Sequence, residues 1–542
     1  MQVFPIFPNF LLLFLILAIA ACQKVQSDNQ RPAPLPQDPF VKVYFNHSPS
    51  SEYRELYRQQ TRLGDNLEQE IIDVISQAKS SVDIAVQELR LPKIAQALRD
   101  KQKAGVKVRV ILENTYSRPW SSLTANEVKK LTPREKQRYQ EFFKFMDMNR
   151  DHQLSPEEIQ QTDALIILQN AKIPWIDDQA DGSAGSQLMH HKFVVVDNRF
   201  VIITSANLTL SDTSGDFTNA TSLGNANNLL QIDSPEVATL FTEEFNIMWG
   251  DGMGGKTDSK FGVNKPIRPP QTIILGNNKI TIHFSPTPTT QPWSNTSNGL
   301  IGETLNSASQ SVDMALFVFS EQRLANILEQ RHQQNVKIRA LIDRQFAYRS
   351  YSEALDMMGI DLSNKCQNEL DNQPWKNPLT TVGVPTLPQG DLLHHKFAII
   401  DNQRVITGSH NWSDAANHGN DETLIVIDNP TIAAHYEREF TSLYTHGQIG
   451  IPAKVQNKVK QAKTQCPQIK TPTSSNNQLI QVVNINTANA TELATLPGVG
   501  EKLAQKIITA RQQRKFTSLP DLEQVPGISN KMIIKWQDRI KY

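Results

Sequence analysis

Two segments of the chain carry the same alternation of apolar and polar positions. Ser81-Val82-Asp83-Ile84-Ala85-Val86 matches Ser311-Val312-Asp313-Met314-Ala315-Leu316. Val106-Lys107-Val108-Arg109-Val110-Ile111-Leu112 matches Val336-Lys337-Ile338-Arg339-Ala340-Leu341-Ile342. Such runs, rich in β-branched residues, predict strands. Between them, Ile94 to Ala104 and Leu324 to Gln334 space their apolar residues as helices do. A further helix is predicted before each, at Leu67 to Lys79 and at Leu300 to Ala308. Both matches share one offset, 311 − 81 = 336 − 106 = 230, so the chain contains an internal duplication. Alternating strands and helices predict an α/β sandwich in each copy, with a mainly parallel sheet.

Each copy continues into a short apolar run of the kind found in buried strands. These are Lys192-Phe193-Val194-Val195-Val196-Asp197 and Lys396-Phe397-Ala398-Ile399-Ile400-Asp401. On a strand, residues i and i+2 share a face. His190 and Lys192 therefore point one way, as do His394 and Lys396. His191 and His395 point the other way, toward packing or hydrogen bonds beneath. Asp197 and Asp401 alternate away from the His/Lys face, which suits a structural role although both belong to the repeated motif. After six further residues come Thr204-Ser205-Ala206-Asn207 and Gly408-Ser409-His410-Asn411.

The offset of these motifs is 394 − 190 = 204, so the first copy holds 230 − 204 = 26 extra residues between Leu112 and His190. An insertion is visible at about 132–165. Thr132-Pro133-Arg134-Glu135 is a capping box with proline at the first helical position, and its helix should run to about Met146. The next twelve residues, Asp147 to Glu158, resemble an EF-hand loop. Asp147, Asn149, Asp151, Ser155 and Glu158 place oxygens at loop positions one, three, five, nine and twelve. Gln153 stands at position seven and Leu154 supplies the apolar residue at eight. His152 holds the position that wants glycine. The resemblance implies calcium; the other reading is a helical hairpin whose Ser155 and Glu158 cap its second helix.

The ends of the chain differ from its middle. Phe10 to Ala21 is apolar but short for a membrane span, and it ends in Ile19-Ala20-Ala21-Cys22. This resembles a bacterial lipoprotein signal, which implies lipidation at Cys22 and export, although residues 1–9 hold no Lys or Arg. A plain cleaved signal or an uncleaved anchor would also export the protein. Two cysteines then remain, Cys366 and Cys466, free to pair in an oxidising compartment and poorly suited to zinc. The organisation expected is a signal at 1–22, a Pro-rich linker at 23–40, one copy at 41–250, a linker at 251–272, the second copy at 273–450, a basic linker at 451–478 and a module at 479–542. Formal net charge is zero, yet residues 451–542 carry 14 basic and 5 acidic side chains, +9, which leaves −9 for the rest. A basic tail on an acidic body points to a polyanionic partner.

The C-terminal module has its own echo. Leu496-Pro497-Gly498-Val499-Gly500 opens one predicted helix and Val525-Pro526-Gly527-Ile528-Ser529 another. From Val483 onward the stretch resembles the helix-hairpin-helix domain of the DNA receptor in bacterial competence systems. That resemblance implies a small all-α domain binding DNA phosphates at helix N-termini. Gly498, Val499, Gly500 and Lys502 would serve from the first hairpin, and Gly527, Ile528, Ser529 and Lys531 from the second. Ser529 stands where a second glycine is usual.

The repeated H-x-K-x4-D pattern with its following S-x-N is similar to the phospholipase D superfamily, over residues 41–450. The resemblance implies two α/β sandwich halves about a pseudo-twofold axis, with one active site between them. A single chain then supplies a complete site and is expected to act as a monomer. It implies metal-free phosphodiester cleavage through a phosphohistidine. The residue types suit this chemistry: a neutral imidazole is a nucleophile, and a protonated one is an acid for the leaving alkoxide. Lys192, Lys396, Asn207, Asn411 and Ser409 are positioned by motif to hold phosphoryl oxygens. By carry-over His190 resembles the nucleophile and His394 the general acid; Asp197 and Asp401 complete the motifs. Glu422 lies where the family often has a carboxylate orienting a histidine. Its counterpart in the first copy is Asn227, so the two histidines should differ in pKa. Thr204 replaces the usual glycine, which would narrow the pocket.

These features fit an exported nuclease acting on DNA. A phospholipase D hydrolysing phosphatidylcholine-type lipids fits the same motifs, with a membrane anchor as a convenience. A DNA-uptake receptor is a third reading. No catalytic cofactor is expected.

Overall fold

The computed structural model describes residues 31–542 except 184–185, 253–254, 364–365, 367–371, 467–482, 495, 497–498, 517–520, 523, 529–531, 533–535, 537–539 and 542. Cys22, Gly498, Ser529 and Lys531 lie outside the described residues. The duplicated segments form the expected units. Strands Ser81–Val86 and Lys107–Leu112 flank the helix Pro92–Lys103, and Ser311–Leu316 and Lys337–Ile342 flank Gln322–Gln333. In each unit the two strands pair in parallel. The polar residues that both copies share now have a purpose. Arg109 donates two hydrogen bonds to Asp83, at 2.7 and 2.8 Å, and Arg339 does the same to Asp313 at 2.6 and 2.8 Å.

Each half is built on one sheet, but neither sheet is mainly parallel. In the first, of seven strands, four of the six pairings are antiparallel. The reason lies in the connections. A helical crossover returns the chain parallel, whereas the motif strand Lys192–Val196 continues into Phe200–Thr204 through a tight turn, which reverses it. Lys396–Ile400 and Arg404–Gly408 repeat the arrangement.

The alternation within the motif strand divides two cores. Val194 and Val196 face an outer core with Leu67, Ile94 and Leu98. Phe193 and Val195 face a central core that draws on both halves, including Phe241 and Phe245 of the helix Pro235–Trp249 and Tyr436 and Phe440 of Pro430–Thr445. The halves are thus joined by a shared apolar layer. They are also joined by backbone: Leu188–Met189 pairs in parallel with Asn420 and Asp421, and Ala226 bridges Leu393.

The insertion forms as expected. Thr132 and Glu135 complete a capping box on the helix Pro133–Met146, and Ser155 and Glu158 do so on Pro156–Thr162. Cys366 and Cys466 are bonded, with Cα atoms 5.3 Å apart. The C-terminal module has its own core, drawn from residues between Val483 and Ile540 and including Leu496, Ile507 and Trp536. It is not purely helical, because Val483–Asn484 pairs in parallel with Ile540–Lys541.

Candidate active site

The pseudo-twofold brings each motif histidine against a strand of the opposite half. His190 N donates to Asp421 O at 2.9 Å, and His394 N to Ala226 O at 3.0 Å. The side chains follow the same exchange. His190 Nδ1 lies 2.7 Å from Glu422 Oε2, which also accepts from Ser409 Oγ at 2.7 Å. His394 Nδ1 lies 3.0 Å from Asn227 Oδ1, which accepts from Ser205 Oγ at 2.7 Å. Asn227 Nδ2 donates to the carbonyls of Asp212 and Asn225, which fixes the end of the amide that faces the ring. Both histidines therefore donate through Nδ1–H, and each Nε2 keeps its lone pair. The carboxylate orients the histidine of the other half, His190, and not its sequence neighbour His394.

The two lysines sit beside them. Lys192 Nζ donates to His190 O at 2.8 Å and to Gln87 Oε1 at 3.3 Å. Lys396 Nζ donates to His394 O at 2.7 Å and stands 4.9 Å over the Phe317 ring. His190 and His394 are each 6% exposed and both lysines 1%. The carbonyl oxygens of Asn207 and Asn411 are buried without a hydrogen-bond partner in the protein; it is their Nδ2 groups that can donate to a phosphoryl oxygen.

Burial sets the electrostatics. It pushes the His190 and His394 imidazoles well below their ordinary range, and the neighbouring lysines push them further. Burial also lowers Lys192 to about 8, against the opposing pull of Glu422, Asp212 and Glu88. Lys396 is lowered well below its usual value by burial and by Lys192. Glu422 is raised by burial, which the nearby Lys192 opposes. Two buried lysines that depress each other and two imidazoles form a site that gains by admitting an anion, which restores the charged form of the lysines.

Several expected residues take other places. The Asp197 carboxylate accepts from the backbone N–H of Lys79, Ser80 and Ser81 at 2.7 to 2.9 Å, and Asp401 accepts likewise from Ser309, Gln310 and Ser311. They tie each motif turn to the start of the neighbouring strand and are not among the reacting groups. Thr204 does not narrow the pocket. Its Oγ1 donates to Asn228 O at 2.7 Å and accepts from Ala206 N, so the side chain is consumed within the sheet. Gly408, its counterpart, has φ of +129°, and a Cβ there would meet Thr423 O at 2.2 Å. His191 and His395 lie beneath the site: their Nε2 atoms are 3.0 Å from Glu244 and 3.2 Å from Glu439.

Sequence reasoning missed Asp212. Its buried carboxylate lies 3.9 Å from His394 Nδ1 and accepts from Asn207 N at 3.1 Å. A signal was present, since Asp212 stands five residues after Asn207 where the second copy has Ala416. Also unforeseen were Gln87 and Phe317, which occupy equivalent positions, 317 − 87 = 230. The Phe317 ring stands 4.8 Å from His394 and 4.7 Å from Phe346, both edge-on.

Among the described residues, one group of three His, Cys, Asp or Glu side chains has ligand atoms within 4.8 Å of one another: His191, Glu244 and Asp421. Lys265 occupies its centre, with Nζ 2.5 Å from Glu244 and 2.6 Å from Asp421. That is an ion-pair network complete without a metal. In the 147–158 loop, Asp147 accepts from the N–H of Asp151 and His152, Asn149 Oδ1 from Asp151, and Asp151 Oδ1 from Gln153. His152 takes φ of +65°, the conformation for which the loop wants glycine. Glu158 Oε1 accepts from Met148 and Asn149 N–H, and its Oε2 from Ser155 N and Oγ. In the C-terminal module, Val499 and Ile528 are buried and their N–H groups donate to Leu496 and Val525 within their own turns. Gly500, Lys502 and Gly527 are exposed.

The chain matches the family described as "Cardiolipin synthase, PLD-like domain" over residues 71–249 and 301–444, and it belongs to that family. Residues 478–541 match the helix-hairpin-helix motif. A mitochondrial cardiolipin hydrolase of Xenopus laevis is 28% identical over 139 residues, 25% of this chain and 56% of that protein. A phospholipase D of Rickettsia typhi is 28% identical over 142 residues, 26% of this chain and 60% of that one. The chain thus spans little more than half the length of these curated relatives. A solved phosphatidylserine synthase of Haemophilus influenzae is 13% identical, covering 83% of this chain and 98% of its own, with a TM-score of 0.47.

Proposed function

We propose that this chain is a phosphodiesterase that hydrolyses DNA outside the cytoplasm, without a catalytic metal, through a phosphohistidine on His190. The observation that carries the chemistry is the pair of imidazoles whose Nδ1–H groups are anchored across the seam, which puts the ring lone pair on Nε2. His190 Nε2 attacks phosphorus. Glu422 accepts the His190 Nδ1–H directly and stabilises the positive charge that stays on that ring for the lifetime of the covalent adduct, whereas His394, bonded to the Asn227 amide, is cationic only while it carries the proton for the leaving group. The substrate anion offsets the lysine charge that depresses His394, so His394 takes up a proton from solvent and passes it to the leaving oxygen as the P–O bond breaks. Water then attacks phosphorus, His394 accepts its proton, and the P–N bond breaks. Lys192, Lys396, Asn207 and Asn411 hold the phosphoryl oxygens throughout.

The helix-hairpin-helix match and the basic linker favour DNA. Gly500, Lys502 and Gly527 offer exposed groups for phosphate, and Gly498, Ser529 and Lys531 are further DNA contacts in this reading. Export rests on the apolar segment ending in Cys22 and is supported by the Cys366–Cys466 pair, a bond of oxidising compartments. Calcium at the 147–158 loop is supported by Asx turns that gather the oxygens of Asp147, Asn149 and Asp151; Gln153, Ser155 and Glu158 would complete the shell. A second reading, hydrolysis of a phospholipid, is favoured by the matched relatives named cardiolipin hydrolase and phospholipase D. The test uses the protein with and without residues 479–542, in EDTA, on plasmid DNA and on cardiolipin and phosphatidylcholine vesicles. DNA cleavage that weakens through KM when the tail is removed supports the nuclease. Turnover of vesicles alone, indifferent to the tail, establishes the lipid reading instead.

A further inference from the structure

Besides the Glu422/Asn227 and Asp212/Ala416 differences, the two halves of the site differ at one further pair of positions, which flanks the reacting groups. Beside His190 the equivalent position is Gln87, a hydrogen-bonding amide that holds Lys192 at 3.3 Å. Beside His394 it is Phe317, which packs edge-on against His394 and Phe346 with Lys396 above its ring. Phe317 and Phe346 are both half-buried. In an in-line displacement the nucleophile and the leaving oxygen lie on opposite sides of phosphorus. The general acid marks the leaving side. Whatever is attached to the leaving oxygen therefore meets the aromatic pair, while the group kept on the enzyme meets the polar flank.

We propose that Phe317, backed by Phe346, is the leaving-group subsite, and that it takes a flat, uncharged nucleobase. This rests on the DNA reading above and deepens it. The alternative occupant of an aromatic pair is a cationic headgroup. The Lys396 amine already lies over the Phe317 ring, in the position a cationic headgroup would need. A base stacks there only after leaving its own duplex, so the subsite selects single-stranded or frayed DNA. Polar Gln87 offers no such surface to the retained nucleoside. The Gln87/Phe317 asymmetry thus gives the leaving and retained groups different surroundings.

The test uses the full chain on the thymidine dinucleotide, which has one phosphodiester, and on two derivatives lacking one base or the other. Products identify the leaving nucleoside as the one released with a free hydroxyl. Stacking on an aromatic ring predicts a roughly tenfold loss of kcat/KM when the leaving base is removed, and less than about twofold when the retained base is removed. Phe317→Gln, which copies the other half, should lose a similar roughly tenfold on the intact dinucleotide and become indifferent to the leaving base. Phe317→Leu keeps the site apolar without a flat face and should behave likewise, with melting curves showing that both variants fold. Equal dependence on the two bases in the wild type overturns the subsite, as does a Phe317→Gln protein that still discriminates. Absence of dinucleotide cleavage alongside phospholipid turnover overturns the subsite together with the DNA reading.

Discussion

Glu422→Gln isolates the charge that the His190 mechanism uses. Glu422 is fully buried and accepts the His190 Nδ1–H at 2.7 Å. The amide keeps the shape and can accept the same bond through its oxygen, as Asn227 does for His394 at 3.0 Å. What disappears is the charge. A hydrogen bond to a charged group contributes about 1.5–3 kcal/mol and a neutral one about 0.5–1.5. The difference of about 1–2 kcal/mol falls on the step in which His190 becomes cationic. It predicts a kcat lower by about five- to thirtyfold, with KM little changed. The assay is steady-state hydrolysis of a short single-stranded DNA, with a melting curve to show that the fold persists. The mirror change, Asn227→Asp, places charge on His394 and should not rescue Glu422→Gln. A Glu422→Gln enzyme within twofold of wild type, or one rescued by Asn227→Asp, refutes the assignment of the carboxylate to His190.

Three further outcomes follow from the same geometry. Lys192 must stay protonated to hold the phosphoryl group, and burial lowers it to about 8; kcat/KM should fall above about pH 8, and Lys192→Arg should move that limb upward, so an unshifted limb removes Lys192 from the profile. The Asp197 carboxylate is held below its usual value, burial opposing and the Ser81, Ser80 and Lys79 hydrogen bonds prevailing. It therefore stabilises the fold above the unfolded carboxylate range and ceases to do so as pH falls through the lower folded value; Asp197→Asn should cost about 1–3 kcal/mol at pH 7, discounted for partial exposure, and progressively less as pH falls through the folded value, as denaturant titration would show. Calcium at 147–158 should raise the melting temperature without changing kcat; an equal melting temperature in calcium and in EDTA would leave the loop a capped hairpin.

The duplication, the face shared by each His/Lys pair and the insertion could all be read from the chain, because each depends on local periodicity and spacing. The partnerships across the seam could not. Glu422 was visible as a carboxylate near a histidine, but only the twofold gives it to His190. Asp212 was hidden because it sits on a single short helical turn, Leu210–Thr213, whose approach to His394 of the other half depends on the fold. Sheet direction failed for a similar reason: helix and strand alternation reveals crossovers, while the hairpin after Val196 reverses the chain through a turn that periodicity does not weigh. Thr204 was judged by its size, whereas the backbone at Gly408 and the hydroxyl's bond to Asn228 decide what each residue does. Cys366 and Cys466, separated by 100 residues, meet only through the fold.

The central claim is a covalent adduct on His190 formed without metal. The direct measurement is rapid acid-free quenching of the His394→Ala protein in EDTA with a phosphodiester bearing a p-nitrophenyl leaving group, followed by peptide mass spectrometry. That leaving group departs without a proton, so the adduct should form and persist for want of the residue that activates water. The account predicts phosphorylated His190 in this protein and none in His190→Ala. An adduct on residue 394 in the His190→Ala protein, or cleavage by the wild type that stops in EDTA and returns with magnesium, would contradict it.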